Sequence, residues 1–76
     1  MIKDNLHGVL RNALGLQHGF KILDEHKIVE DLGADSLNIV EIVMEVETEF
    51  DIEIDDTEID NIETVNDLVK LIQDLS

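Results

Sequence analysis

The feature that most limits the fold is a helical repeat of apolar residues in a chain with no covalent cross-link to fall back on. Ile39, Ile42, Val43, Val46 and Phe50 recur at steps of three, one, three and four, which makes one broad apolar face on a helix of 3.6 residues per turn. Comparable spacing occurs upstream in Ile2, Leu6, Val9, Leu10, Ala13 and Leu14, and downstream in Val65, Leu68, Val69, Leu71, Ile72 and Leu75. Without cysteine there is neither a disulfide framework nor a clustered Cys/His zinc site, so stability comes from packing. Seventy-six residues make one domain, residues 1–76, near the small end of what folds unaided. The expected class is all-α: a small four-helix bundle with three longer helices, one short third helix, and a long loop between helices one and two.

Gly15 directly after Leu14 is a natural stop for helix one, because glycine tolerates the left-handed conformation, while Gly8 weakens the same helix by about 1 kcal/mol relative to alanine. Residues 16–35 form a connection too long to be structureless in a compact domain. Leu16, Phe20, Ile22, Ile28, Val29 and Leu32 are its candidate pins to the core, and residues 23–27 suit a short turn. The second helix runs from about Ser36 to Phe50. After it, Ile52 and Ile54 alternate with Asp51, Glu53 and Asp55, an extended pattern too short to build a sheet. Residues 56 to about 62 suit a short helix burying Ile59 and Ile62, and Thr64-Val65-Asn66-Asp67 resembles a capping box opening the last helix.

Charge narrows the function. The net charge is −14, and no lysine or arginine lies between Ile28 and Val69, a span that holds fifteen of the nineteen acidic residues. Such a field repels nucleic-acid phosphates and anionic lipid headgroups and attracts basic protein patches and cations. The acid cluster is not a calcium loop. Counted from Asp51, position six is Asp56 rather than glycine and position twelve is Ile62 rather than glutamate. His7, His18 and His26 lack metal-ligand spacing and read as packed or solvated, so no metal site is expected. No signal peptide or membrane-length apolar run is visible, which makes a cytoplasmic monomer without membrane insertion the expectation.

Ser36 is the candidate working residue. It opens the most apolar helix within Asp31-Leu32-Gly33-Ala34-Asp35-Ser36-Leu37. No histidine lies near it in sequence to act as a base, and Ala34 and Asn38 stand where a nucleophile elbow has glycines. Its hydroxyl is thus a substrate for another enzyme or simply a helix cap, a role that Asp35 fills equally well. Beyond it, Leu37, Val40 and Met44 form a second apolar stripe, with Asn38, Glu41, Glu45 and Glu49 on the remaining arc. The stripe is either packed against a second neighbour in the bundle or exposed for docking, and the spacing leaves both open.

Glu30-Asp31-Leu32-Gly33-Ala34-Asp35-Ser36-Leu37, followed by Val40-Glu41-Ile42-Val43-Met44 and Glu49-Phe50-Asp51, resembles the acyl carrier proteins of fatty-acid synthesis. The similarity runs from Leu14-Gly15 to the last helix. It implies a non-enzymatic carrier whose Ser36 bears a 4′-phosphopantetheine arm, attached by a separate phosphopantetheinyl transferase, with acyl groups held on the arm's thiol as thioesters. A chain without cysteine is consistent with a borrowed thiol. The resemblance further implies that Asp35 helps place the transferase and its cation. It points to Leu37, Val40, Glu41, Met44, Glu47, Glu53 and Asp56 as the surface for basic patches on fatty-acid-synthesis enzymes. A thioester-bound chain would lie among Val46, Phe50, Ile54, Ile59, Ile62 and Leu68.

The chain departs from the family pattern at several positions. Asn38 replaces a usual second acid, Asp55 a common proline and Ile28 a frequent aromatic, while Ile59 and Leu68 stand where alanine is often found. Larger side chains in the cavity set predict a preference for shorter acyl chains, or an offset cavity. Competing readings are a carrier dedicated to polyketide, lipid or amino-acyl chemistry, and, in another class, a small acidic interaction or cation-binding protein without a prosthetic group.

Overall fold

The computed structural model describes residues 2–17 and 19–76; His18 lies outside the described residues. Four helices follow one another: α1 (Ile2–Leu14), α2 (Ser36–Phe50), α3 (Asp56–Ile59) and α4 (Val65–Leu75). The all-α architecture with one short third helix is the expected one. α1 packs against both α2 and α4, presenting Leu6, Val9 and Leu10 to Ile42, Val43 and Val46 of α2 and to Val65, Leu68, Val69 and Ile72 of α4, all of them buried. No polar or charged residue among those described is buried. Gly15 ends α1 at φ +63°, as the sequence predicts.

The long connection is held by main-chain bonds as much as by side chains. The first amides of a helix have no partner within it, and in α4 the loop supplies them: Val65 N–H donates to the His26 carbonyl at 3.0 Å and Asn66 N–H to that of Asp24 at 2.9 Å. Ile28 N–H in turn donates to the Glu63 carbonyl at 2.9 Å, beside an antiparallel bridge between Lys27 and Thr64. Arg11 anchors the loop's start through the carbonyls of Gln17 and Phe20.

Three expectations need correction. Of the candidate pins, Ile22, Ile28 and Leu32 are buried and Leu16 partly so, but Phe20 is exposed beside the His26 ring and Val29 is 56% exposed. Ala34, too small to stand out in the apolar pattern, is buried instead. The third helix ends at Ile59; Asn61 and Ile62 continue it only through tighter bonds to the carbonyls of Glu58 and Ile59, leaving Ile59 and Ile62 partly rather than fully buried. On α4, Leu75 lies in the last turn and is 37% exposed, outside the buried face formed by Val65, Leu68, Val69 and Ile72.

Candidate functional site

The start of α2 is built by a wide turn and a reciprocal cap. Residues 27–34 close on themselves, with Gly33 N–H donating to the Val29 carbonyl and Ala34 N–H to that of Ile28, each at 3.1 Å. Gly33 sits at φ +78°, a conformation glycine adopts without steric cost. The Asp31 carboxylate braces the same turn by accepting from Lys27 N–H at 2.8 Å. Buried Ala34 and Leu32 then tie the turn to the core, so the residues that follow emerge on a fixed platform.

Asp35, not Ser36, is the N-cap. Its Oδ1 accepts from Asn38 N–H at 2.9 Å, while its own N–H donates to Asn38 Oδ1 at 3.1 Å, the two-way exchange of a capping box. Ser36 is therefore the first helical residue. It is exposed, and among the described residues nothing hydrogen-bonds its hydroxyl. The N–H groups of Ser36 and Leu37 likewise have no intrachain acceptor among the described residues. An unengaged hydroxyl beside two open amides at the positive end of a fifteen-residue helix suits attachment of a phosphodiester anion.

The second stripe of α2 is exposed rather than packed against a neighbour in the bundle: Leu37 is 67%, Val40 50% and Met44 60% accessible. Glu41, Glu53 and Asp56 are exposed as well. Glu47 is different. It is half-buried, and its carboxylate accepts from Ile54 N–H at 2.8 Å while its carbonyl receives Asp51 and Ile52 N–H. With Asp51 in the left-handed region at φ 55°, this brace turns the chain out of α2. Of the residues named for an acyl cavity, Val46 and Leu68 are fully buried and Ile54 nearly so, whereas Phe50, Ile59 and Ile62 are partly buried against the hydrophobic core.

Sequence reasoning missed what Asn38 does, seeing there only the absence of an acid. The signal was present, since Asp35 followed three residues later by an amide before an apolar run is a capping pattern. The exposed Val29 close to this platform was also missed, because an apolar residue in a loop reads first as a pin. Among the described histidines, His26 has a structural role: its Nδ1 accepts from Leu23 N–H at 3.1 Å within the expected turn.

Comparison with known proteins agrees with this geometry. The family defined by the phosphopantetheine attachment site matches residues 5–72. The chain is 36% identical to an acyl carrier protein of Thermotoga maritima over 72 residues, spanning 95% of this chain and 88% of that one. It is 53% identical to an acyl carrier protein of Wolinella succinogenes over 53 residues, 70% of each. Its fold superposes on a candidate acyl carrier protein of Mycobacterium tuberculosis with a TM-score of 0.90 at 29% identity, covering 96% of both chains. A small helical bundle with an exposed, unbonded serine hydroxyl at the start of its second helix is the class that fold and site define. The chain belongs to the phosphopantetheine-attachment family, that of the acyl carrier proteins.

Proposed function

We propose that residues 1–76 act as a carrier unit in which Ser36 bears the 4′-phosphopantetheine group and delivers acyl thioesters to enzymes of fatty-acid biosynthesis. The observation that carries this reading is the Ser36 hydroxyl, exposed and unbonded at the first position of α2. The bound group supplies the thiol that the cysteine-free chain lacks. The chain's own part is to present and to dock. Asp35 holds the helix start in register and stands beside the modified oxygen, where it helps place the transferase and its cation.

Leu37, Val40 and Met44 offer an apolar strip, and methionine adapts to differently shaped partners. Glu41, Glu53 and Asp56 draw in basic patches, with Glu47 contributing less because its carboxylate is engaged with Ile54. Contacts of this kind form by electrostatic steering and release quickly, which suits successive partners. Val46, Phe50, Ile54, Ile59, Ile62 and Leu68 are the residues between which an acyl chain is sheltered, with short chains favoured by the bulk of Ile59 and Leu68. The unit is a carrier rather than an enzyme and works as a monomer in the cytoplasm; among the described residues no helix is long and apolar enough to cross a membrane.

Intact-mass measurement after incubation with coenzyme A and a phosphopantetheinyl transferase tests the attachment. Wild type gains the mass of one phosphopantetheine group and Ser36→Ala gains none. An unchanged wild-type mass would leave a small acidic interaction protein in its place.

A further inference from the structure

We infer that Asn38 is a positioning residue: its side chain selects the helix register that leaves the Ser36 hydroxyl free, and so makes Ser36 a usable acceptor. The inference rests on the reading of Ser36 as the attachment point. Asp and Ser rank almost equally as N-caps, so Asp35-Ser36 can start α2 in two ways. With the cap at Asp35 the third helical residue is Asn38, whose Oδ1 returns a hydrogen bond to the cap N–H. With the cap at Ser36 the third residue is Ile39, which has no acceptor to return. The reciprocal bond therefore exists in one register only, and it is the register observed: Asp35 is extended at φ −107° and ψ −176°, and Ser36 is helical.

The chemical consequence falls on the serine oxygen. In the alternative register Ser36 becomes extended and its Oγ accepts from a helix N–H, as N-cap oxygens do. A lone pair is then turned toward the helix. Phosphodiester formation needs that oxygen: a new Oγ–P bond forms as the pyrophosphate link of coenzyme A breaks, the hydroxyl proton passes to a base on the transferase or to water, and adenosine bisphosphate leaves with the other phosphate. An oxygen folded back onto its own helix is poorly placed for this. The half-buried Asn38 thus acts on Ser36 through Asp35, without touching the reacting atoms.

The test is made on the full chain with Asn38→Ala, reading both the Ser36 13Cα shift by NMR and the rate of phosphopantetheine transfer from coenzyme A. With the box gone, the near-equal cap preferences predict roughly equal populations of the two registers. The Ser36 13Cα shift then moves about halfway from helical toward extended, and kcat/KM for the transfer falls about twofold. Asn38→Asp, which restores an acceptor oxygen, returns both readings to wild type. Adding Ile39→Asn to Asn38→Ala moves the box one residue on, so that Ser36 becomes predominantly extended and transfer slows further than in Asn38→Ala alone.

A helical Ser36 in Asn38→Ala overturns the proposal, whether transfer is unchanged or slowed, because a slowed transfer would then mark Asn38 as a transferase contact. A loss of melting temperature alone, with both readings at wild-type values, overturns it too. If wild type accepts no phosphopantetheine, it is the carrier reading that fails, and the NMR shift still decides the register.

Discussion

Asp67 ties the α3–α4 connection to the last helix through one carboxylate. Its Oδ2 accepts from Thr64 N–H and Glu63 N–H, each at 3.0 Å, while its own N–H donates to Thr64 Oγ1 at 3.1 Å. The Thr64 amide first, then that of Glu63, holds the carboxyl below the usual carboxylate range, because both bonds favour the ionised form. A depressed folded-state value means the contribution is fully present above the unfolded value of about 4 and is lost as pH falls through the folded value. Asp67→Ala is expected to cost about 1 kcal/mol at neutral pH, the size of a helix-cap interaction. Urea unfolding across a pH series should show the gap to wild type closing as pH falls below the unfolded value of about 4 and through the depressed folded one. Lys27 shifts in the opposite direction: Glu30, then Glu63, raises it above its ordinary value. Its pairs at 3.5 and 3.6 Å are exposed, and surface pairs of this kind add little stability.

Among the helices, α1 carries an internal weakness with no compensating contact. Gly8 lies in its middle and is exposed, and a Cβ built there meets nothing within 4 Å. The glycine therefore loses helix propensity without easing any close approach. Gly8→Ala is expected to stabilise the fold by about 1 kcal/mol, which for a domain of this size raises the melting temperature by about 4–8 °C. An unchanged or lower value in a thermal melt would mean that the apparent space at this helix face is not open. The contrast with Gly15 and Gly33, both at positive φ, is instructive, since there a side chain would be strained whatever the space. α2 differs from α1 in how it stops. Asp51 adopts a left-handed conformation that glycine usually supplies, and the Glu47 carbonyl and carboxylate collect the amides that follow.

The molecule as a whole is small and strongly charged. A radius of gyration of 11.1 Å is what a compact chain of this length has, and within it a net charge of −14 is confined. Lys3 pairs with Asp24 and Lys27 with Glu30 and Glu63, whereas among the described residues no ion pair forms with the carboxylates of α2 and α3, most of which face solvent. Like charges so placed repel one another and destabilise the compact state, and added salt screens exposed pairs. Raising sodium chloride or adding magnesium chloride is therefore expected to raise the melting temperature of the unmodified chain, measured by circular dichroism. A flat response to both would mean that the self-repulsion is smaller than the charge count implies.

The spans of α1, α2 and α4 and the sign of the field were legible in the sequence, because each rests on local information. Apolar spacing over a dozen residues places α1, α2 and α4, and Thr64 with Asp67 marks its own cap. What the sequence left open depended on which groups are brought alongside one another. Asp35 and Ser36 are equivalent as caps until the Asn38 side chain is seen returning its bond to Asp35. Glu41 and Glu47 look alike as surface acids until Ile54 N–H is found on the Glu47 carboxylate. Phe20 and Val29 look like pins as much as Ile28 does until the loop lies against residues 63–66. Periodicity along a chain determines which face of a helix is apolar. Only the packed structure decides which polar groups spend their hydrogen bonds inside the protein and which, like the Ser36 hydroxyl, are left for something else.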